Sequence, residues 1–133
     1  PGYFEDLFYS IDNVIILMQE LTDLKNLIVS TLDINKASDI VTINLEGKSS
    51  IADYMIIASG TSSRHIQSLS EQVLEEFKKS GIYDSKIEGI DSKDWKLVDG
   101  IDVVVHIFNP EKRKFYEIEK IWSEIIPKEK VII

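Results

Sequence analysis

The stretch that most restricts the fold of this chain is DYMIIASG, an apolar run over residues 53–60 that ends at a glycine. Its side chains are apolar on both faces of an extended strand, which is typical of a central strand covered on both sides. Directly after Gly60 the apolar residues recur with the period of an amphipathic helix, at Ile66, Leu69, Val73, Leu74 and Phe77. A covered strand that leads at once into a helix predicts a layered α/β domain.

Helical and extended patterns alternate along the rest of the chain. Residues 4–32 carry apolar side chains at helical spacing, so they contain one long helix or two short ones. Residues 38–47 alternate between apolar and polar side chains, as in a half-buried strand. A second β region follows from Tyr83 onward, and Asp99-Gly100 between two β-rich runs is typical of a hairpin turn.

The C-terminal part of the chain predicts a last helix. Asn109 and Pro110 form its start signal, and Pro127 ends the pattern. The apolar stripe of this helix consists of Phe115, Ile118, Ile121, Trp122 and Ile125. Together the elements predict an α/β fold with a mixed sheet of about five strands flanked by helices.

Length, charge and composition narrow the class of protein. A chain of 133 residues is expected to form one compact domain. Its 23 acidic and 15 basic residues give a net charge of −8, which argues against direct nucleic-acid binding because such a surface repels a phosphate backbone. The same charge suits docking on a basic protein. Because the chain has no cysteine and no apolar run near 20 residues, we expect no disulfide, no thiolate metal site and no membrane-spanning helix.

The turn after the central strand consists of Gly60, Thr61, Ser62, Ser63 and Arg64. Glycine permits close backbone approach and a helix N-terminus attracts anions, so this turn is a candidate anion site. It lacks the Gly-Lys-Ser/Thr of a P-loop and the three glycines of a dinucleotide fingerprint. Threonine and serine are also the residues that cap any helix, here with Thr61 or Ser62 as the N-cap. The helix cap is the more ordinary interpretation, and both stay open.

His106 lies in the run DVVVHIF, where alternation places it on the same face as Asp102. The two residues are about 13 Å apart along one strand, too far to pair directly. Candidate partners on a neighbouring strand are Asp53 and Ser59. With two histidines and no cysteine in the chain, a metal site lacks ligands, and no nucleophile stands at a recognisable spacing. We expect a histidine that is hydrogen-bonded within a sheet face, with no metal and no catalytic role.

Two further features are candidates for contact with a partner. Trp95 begins a strand just before the hairpin turn, and it either plugs the end of the core or forms an exposed anchor. Lys112, Arg113 and Lys114 form a short basic patch in an acidic chain. Such a patch is ordinarily a solvated helix face, although basic residues at a helix start oppose the helix dipole and so hint at a partner.

Four blocks of the sequence, taken in order, resemble the ribosomal silencing factor family, RsfS, also called Iojap. The first is DIVTINLEGKSSIADYMIIASGTSSRH, the second is the EG pair at residues 88–89, and the third is DWKLVDGIDVVVHIF. The fourth is RKFYEIEKIW. The resemblance runs from about Met18 to Trp122. Residues 1–17 then look like an extension of uncertain origin, residues 18–126 form the family domain, and residues 127–133 form a C-terminal tail.

The resemblance implies a function and a fold. It implies that the chain binds the large ribosomal subunit through its fourteenth protein, sterically blocks joining of the small subunit and so represses translation. It implies a cytoplasmic protein that is not an enzyme, uses no cofactor, contacts no membrane and is typically a homodimer when free. The fold it implies is similar to that of nucleotidyltransferases, so that the turn at residues 60–64 would be a vestigial anion site.

The family's partner-binding region maps by position onto one stretch of this chain, which consists of Trp95, Lys96, Leu97, Val98, Asp99, Gly100 and Ile101. The family pattern has Asp, a large apolar or aromatic residue, Gly and Asp in the turn. This chain has Asp99-Gly100-Ile101-Asp102, with the glycine and the large residue exchanged.

A function of a different class also fits the residues. A nucleotide-binding module or degenerate nucleotidyltransferase would use the glycine turn together with Asp53, Arg64, Asp102 and His106. Such an enzyme needs two or three carboxylates that converge on a divalent metal beside the turn. The strand that should carry them offers one acid, Asp102, without a close second. A purely structural dimer without a ribosomal partner is the third alternative.

Overall fold

The computed structural model describes residues 2–116 and 131–132. Within these residues the elements are α1 Gly2–Ile34, β1 Ser38–Asn44, β2 Tyr54–Ser59, α2 Ser63–Lys79, β3 Lys86–Glu88, β4 Trp95–Asp99, β5 Val103–Phe108, α3 Pro110–Tyr116 and β6 Val131–Ile132. The predicted order of helices and strands is confirmed. The first helical pattern forms one long helix rather than two short ones.

The strands form one mixed sheet in the order β3-β4-β5-β2-β1-β6. In its middle β2 and β5 run parallel, whereas β4 pairs antiparallel with β5 and β1 antiparallel with β2. All six side chains of β2 are buried, which confirms the predicted central strand. The prediction of about five strands missed β6, because its two residues are too few to produce a periodic signal.

Helices α1 and α2 pack on the same face of the sheet. Ile28 and Leu32 of α1 meet the apolar stripe of α2, and both pack on the strands Tyr54–Ser59 and Val103–Phe108. This main cluster includes Phe77, which is fully buried near the end of α2. Among the described residues, none of the helices combines the length and apolar character needed to cross a bilayer.

The opposite face of the sheet carries a second apolar cluster. Its buried members are Val41, Ile43, Leu45, Met55, Ile57 and Phe108. Trp95, at the start of β4, packs against this cluster and remains half-buried.

The last predicted helix is confirmed at its start. The Asn109 side chain accepts a hydrogen bond from the Lys112 N–H at 2.8 Å and so caps α3. Of the predicted apolar stripe, the side chain of Phe115 and all of Ile118, Ile121, Trp122 and Ile125 lie outside the described residues. Pro127, the predicted end of this helix, lies outside them as well.

Candidate partner-binding site

Strand β4 divides the residues of the predicted partner-binding region between two faces. Trp95, Leu97 and Asp99 are half-buried on one face, as their alternation predicts. Lys96 and Val98 are buried on the other face, where Val98 belongs to the main core. The surface that this strand can offer to a partner therefore consists of Trp95 and Leu97 at one end and Asp99 at the other.

The indole of Trp95 is fixed by contacts on two sides. Its Nε1–H donates a hydrogen bond to Nδ1 of His106 at 3.2 Å, and the two rings stack with centroids 6.2 Å apart. Phe108 lies next to both rings. At the other end of the indole, a Cβ on Gly89 would lie 2.8 Å from the six-membered ring. Any larger residue at position 89 would therefore displace the ring. Trp95 is thus a half-buried aromatic group held at the margin of the core, and its role as an anchor for a partner stays a prediction.

His106 has a different partner from those predicted. Asp53 and Ser59 were candidates, but Ser59 binds Arg113 and the hydrogen bond of His106 is to Trp95. The expectation of a histidine hydrogen-bonded within a sheet face is confirmed. Burial lowers the pKa of His106 from 6.5 to about 4, and the acceptor role of Nδ1 toward the indole requires that this nitrogen carry no proton.

Acidification is expected to destabilise the fold through His106. Because the folded pKa is about 4 and the ordinary value is 6.5, the unfolded chain binds the proton more readily between these pH values. The contribution of His106 is therefore fully present above pH 6.5, falls by about 2 kcal/mol from pH 7 to pH 5, and levels off below pH 4. Urea unfolding at pH 7, 6 and 5 measures the free energy of unfolding of the wild type and of His106→Gln. The variant should lose less stability, and parallel curves would contradict the assignment.

The turn between β4 and β5 explains why residue 100 is glycine. A Cβ on Gly100 would lie 2.4 Å from the ring of Phe77, so a side chain has no room at this position. Ile101 adopts a φ of +72°, a left-handed conformation that is strained for a β-branched residue. Its N–H donates to the Asp99 carboxylate at 2.8 Å, and its side chain is 50% exposed. Ile101 therefore presents an apolar side chain just beyond the end of β4 opposite Trp95, and the strand between them is about 13 Å long.

The Gly60 turn is built by close packing. A Cβ on Gly60 would lie 2.8 Å from the side chain of Ile66, so glycine lets the strand end approach the first turn of α2. The Gly60 N–H donates to the Phe108 carbonyl oxygen at 2.9 Å and extends the pairing of the two parallel strands. The remaining residues of the predicted anion site are exposed, namely Thr61, Ser62, Ser63 and Arg64.

Helix α2 is capped by its own side chains. Ser62 is the N-cap and accepts from the His65 N–H at 3.1 Å, which confirms one of the two predicted caps. The His65 ring accepts from the Thr61 N–H at 3.0 Å, and its Nε2 bonds to the Asn35 carbonyl oxygen at 2.8 Å. The helix-cap interpretation accounts for these contacts, and an anion at this turn stays a prediction.

Arg113 is not part of a solvated basic patch, and that prediction is wrong for this residue. Its side chain is 9% exposed and donates to the Asp39 carbonyl oxygen and to the Ser59 hydroxyl, the latter at 2.9 Å. It therefore joins α3 to the ends of β1 and β2. Lys112 and Lys114 are exposed, as predicted.

The carboxylates considered for an enzyme do not form a metal site. Within residues 2–116 and 131–132, no group of three or more histidine, aspartate or glutamate side chains is placed to hold a metal ion. Burial, followed by the charges of Asp102 and Glu46, raises the pKa of Asp53. The charges of Asp102 and Glu46 therefore disfavour ionisation of Asp53.

Comparison with known proteins identifies the family. The model of the family described as "Ribosomal silencing factor during starvation", RsfS, matches residues 18–132. The chain belongs to the RsfS family. The Trp95 strand, the hairpin and the Gly60 turn all lie within the matched residues.

Individual proteins that are similar to this chain support the family assignment. The ribosomal silencing factor RsfS of Zymomonas mobilis is 46% identical over 100 residues, which are 75% of this chain and 75% of that protein. A crystal structure of a protein from Chromobacterium violaceum, 34% identical, superposes with a TM-score of 0.72 and covers 77% of this chain and 86% of that one. A mouse protein named mitochondrial assembly of ribosomal large subunit protein 1 is 37% identical, over 74% of this chain and 44% of that protein. The mixed sheet with flanking helices is therefore a fold that RsfS relatives share, whereas its likeness to nucleotidyltransferases stays a prediction.

Proposed function

We propose that this chain is a ribosomal silencing factor that binds the large ribosomal subunit through its fourteenth protein. Bound there, it sterically blocks joining of the small subunit and so represses translation. The observation that carries the proposal is membership of the RsfS family over residues 18–132. The name of the mouse relative also refers to the large ribosomal subunit.

The charge of the chain supports a protein partner rather than RNA. A net charge of −8 repels the phosphate backbone that covers much of a ribosomal surface. Ribosomal proteins that contact RNA are generally basic, and an acidic surface is attracted to them over a range of about a Debye length. Docking on one protein of the subunit therefore fits better than docking on its RNA.

The proposed docking surface is centred on β4. Trp95 supplies a large aromatic side chain whose orientation is fixed by His106 and Gly89, so that little conformational entropy is lost when a partner covers it. Leu97 lies on the same face of the strand. Asp99 and Ile101 extend the surface to the far end, with Gly100 as a buried support.

The mechanism proposed is occlusion, without catalysis and without a cofactor. A bound domain fills space that the small subunit must enter, so no bond in the ribosome is broken. We further propose that the chain acts in the cytoplasm and is a homodimer when free, as the family resemblance implies. The domain assignment, with residues 18–126 as the family domain, belongs to the same proposal.

Sedimentation of ribosomal subunits tests the function directly. Purified large and small subunits are mixed with and without this protein under conditions that favour joining. Each mixture is separated on a density gradient, and the position of the protein and the amount of joined ribosomes are measured. We expect the protein to migrate with the large subunit and the peak of joined ribosomes to fall as its concentration rises. A protein that stays at the top of the gradient, or one that binds without reducing joining, would contradict the proposal.

A further inference from the structure

The loop between β3 and β4 is closed around a buried ammonium group. Lys96 is 3% exposed, and its Nζ donates to the carbonyl oxygens of Gly89, Ile90 and Ser92 at 2.7, 2.7 and 2.6 Å. These three bonds use all three N–H donors of an ammonium group. Since a buried charge without partners is costly, the loop backbone must stay wrapped around Lys96 in the folded protein.

The far end of the same loop is fixed by a second set of bonds. The Ser92 hydroxyl accepts from the N–H groups of Asp94 and Trp95. Asn109 binds Asp94 twice, with its side chain to the carboxylate and with its N–H to the carbonyl oxygen. The loop is therefore held at both ends, to the strand that carries Trp95 and to the start of α3.

The rigid loop presents one large apolar side chain to solvent. Ile90 is 73% exposed, although its carbonyl oxygen is bound to Lys96. Its neighbour Gly89 contacts the Trp95 ring, which places the Ile90 Cα within about 8 Å of the indole. A side chain that is already held in place loses little conformational entropy when a partner covers it, and hot-spot residues cluster around aromatic anchors such as Trp95.

We propose that Ile90 is a second anchor of the docking surface and that Lys96 is the residue that positions it. This inference rests on the proposed function and specifies the partner. Ile90 is flanked by the exposed acids Glu88, which pairs with Lys86 at 3.5 Å, and Asp91, and the exposed Lys93 lies in the same loop. The chain as a whole carries a net charge of −8. The occupant is therefore a surface of a basic ribosomal protein, with an apolar recess for Ile90 and with lysine or arginine at its rim.

Substitution of Ile90 tests the anchor. Ile90→Ser is compared with Ile51→Ser, a matched control because Ile51 is 63% exposed in another loop. Binding to purified large subunits is measured by co-sedimentation over a range of concentrations, and folding by thermal melting. Ile90→Ser should weaken binding about tenfold with an unchanged melting temperature, and Ile51→Ser should bind like the wild type. Equal affinity of Ile90→Ser and wild type overturns the inference alone, whereas a wild type that does not bind overturns the proposed function as well.

A double-mutant cycle tests the positioning role of Lys96. Lys96→Met keeps the length of the side chain and removes the ammonium group, so the loop amides at residues 89–94 should exchange hydrogen faster. If Lys96 acts through Ile90, Lys96→Met should weaken binding in the wild type but add little in the Ile90→Ser background. Equal losses in both backgrounds would show that Lys96 supports the fold in general and would overturn its positioning role.

Discussion

Replacement of Trp95 by alanine is expected to weaken binding to the large ribosomal subunit about thirtyfold, which corresponds to about 2 kcal/mol. The indole is the largest side chain on the docking face of β4, and its orientation is fixed before binding by His106 and Gly89. Truncation removes the apolar contact area and leaves a gap beside the second cluster. The affinity is measured with purified large subunits, and the loss should be accompanied by weaker inhibition of subunit joining.

Two controls separate binding from folding in this experiment. Trp95→Phe keeps an aromatic ring for contact but lacks the Nε1–H that binds His106, so it should lose less affinity than Trp95→Ala. Ile51→Ala removes an exposed apolar side chain outside the proposed surface and should not affect binding. A Trp95→Ala protein that melts as a single cooperative unit and binds like the wild type would place the docking surface elsewhere on the domain.

Local patterns in the sequence were sufficient for much of the fold. The continuous apolar run of β2 predicts a strand covered on both faces, because every one of its side chains needs an apolar neighbour. Ser62 predicts the start of α2 because the N-cap bond reaches only three residues along the chain. The hairpin at Asp99-Gly100 is predicted for the same reason, since a turn is decided by its own few residues.

The position of the hairpin turn also fixes the register of β4 and β5, and this register was not used to predict a partner for His106. A turn after Asp99 pairs Trp95 with Phe108 and Leu97 with His106. Trp95 and His106 are then diagonal neighbours on one face, within reach of a long aromatic side chain. The register of this hairpin therefore predicts the bond between them, whereas the predicted partners Asp53 and Ser59 lie just before β2 and at its end.

Contacts between distant segments could not be predicted from local patterns. Arg113 binds Ser59, which is 54 positions away in the sequence, and Asp39, which is 74 positions away. Its own sequence context is that of an exposed helix start. Lys96 occupies a strand position where charge usually faces solvent, and its burial depends on how the preceding loop folds back. In both cases the side chain alone does not reveal whether backbone carbonyl groups will surround it.

Addition of one methyl group at Gly100 is expected to destabilise the domain by about 3 kcal/mol. The Cβ of Gly100→Ala would lie 2.4 Å from the Phe77 ring, which is fully buried among the side chains of the main core. Close-packed cores resist such insertion, because the ring cannot move without displacing its own neighbours. Urea unfolding of the variant and the wild type measures the difference in the free energy of unfolding.

Gly47→Ala is the matched control for this substitution. Gly47 has a φ of +71° with open space around it, so alanine there should cost only the backbone strain of about 1 kcal/mol. Phe77→Leu should recover part of the stability lost in Gly100→Ala, because it removes the atoms that clash. Equal losses for Gly47→Ala and Gly100→Ala, or no recovery with Phe77→Leu, would contradict the packing argument. Phe77 fills the space at position 100, so glycine fits there and a larger residue does not, whereas the side chain of Ile101 lies in solvent.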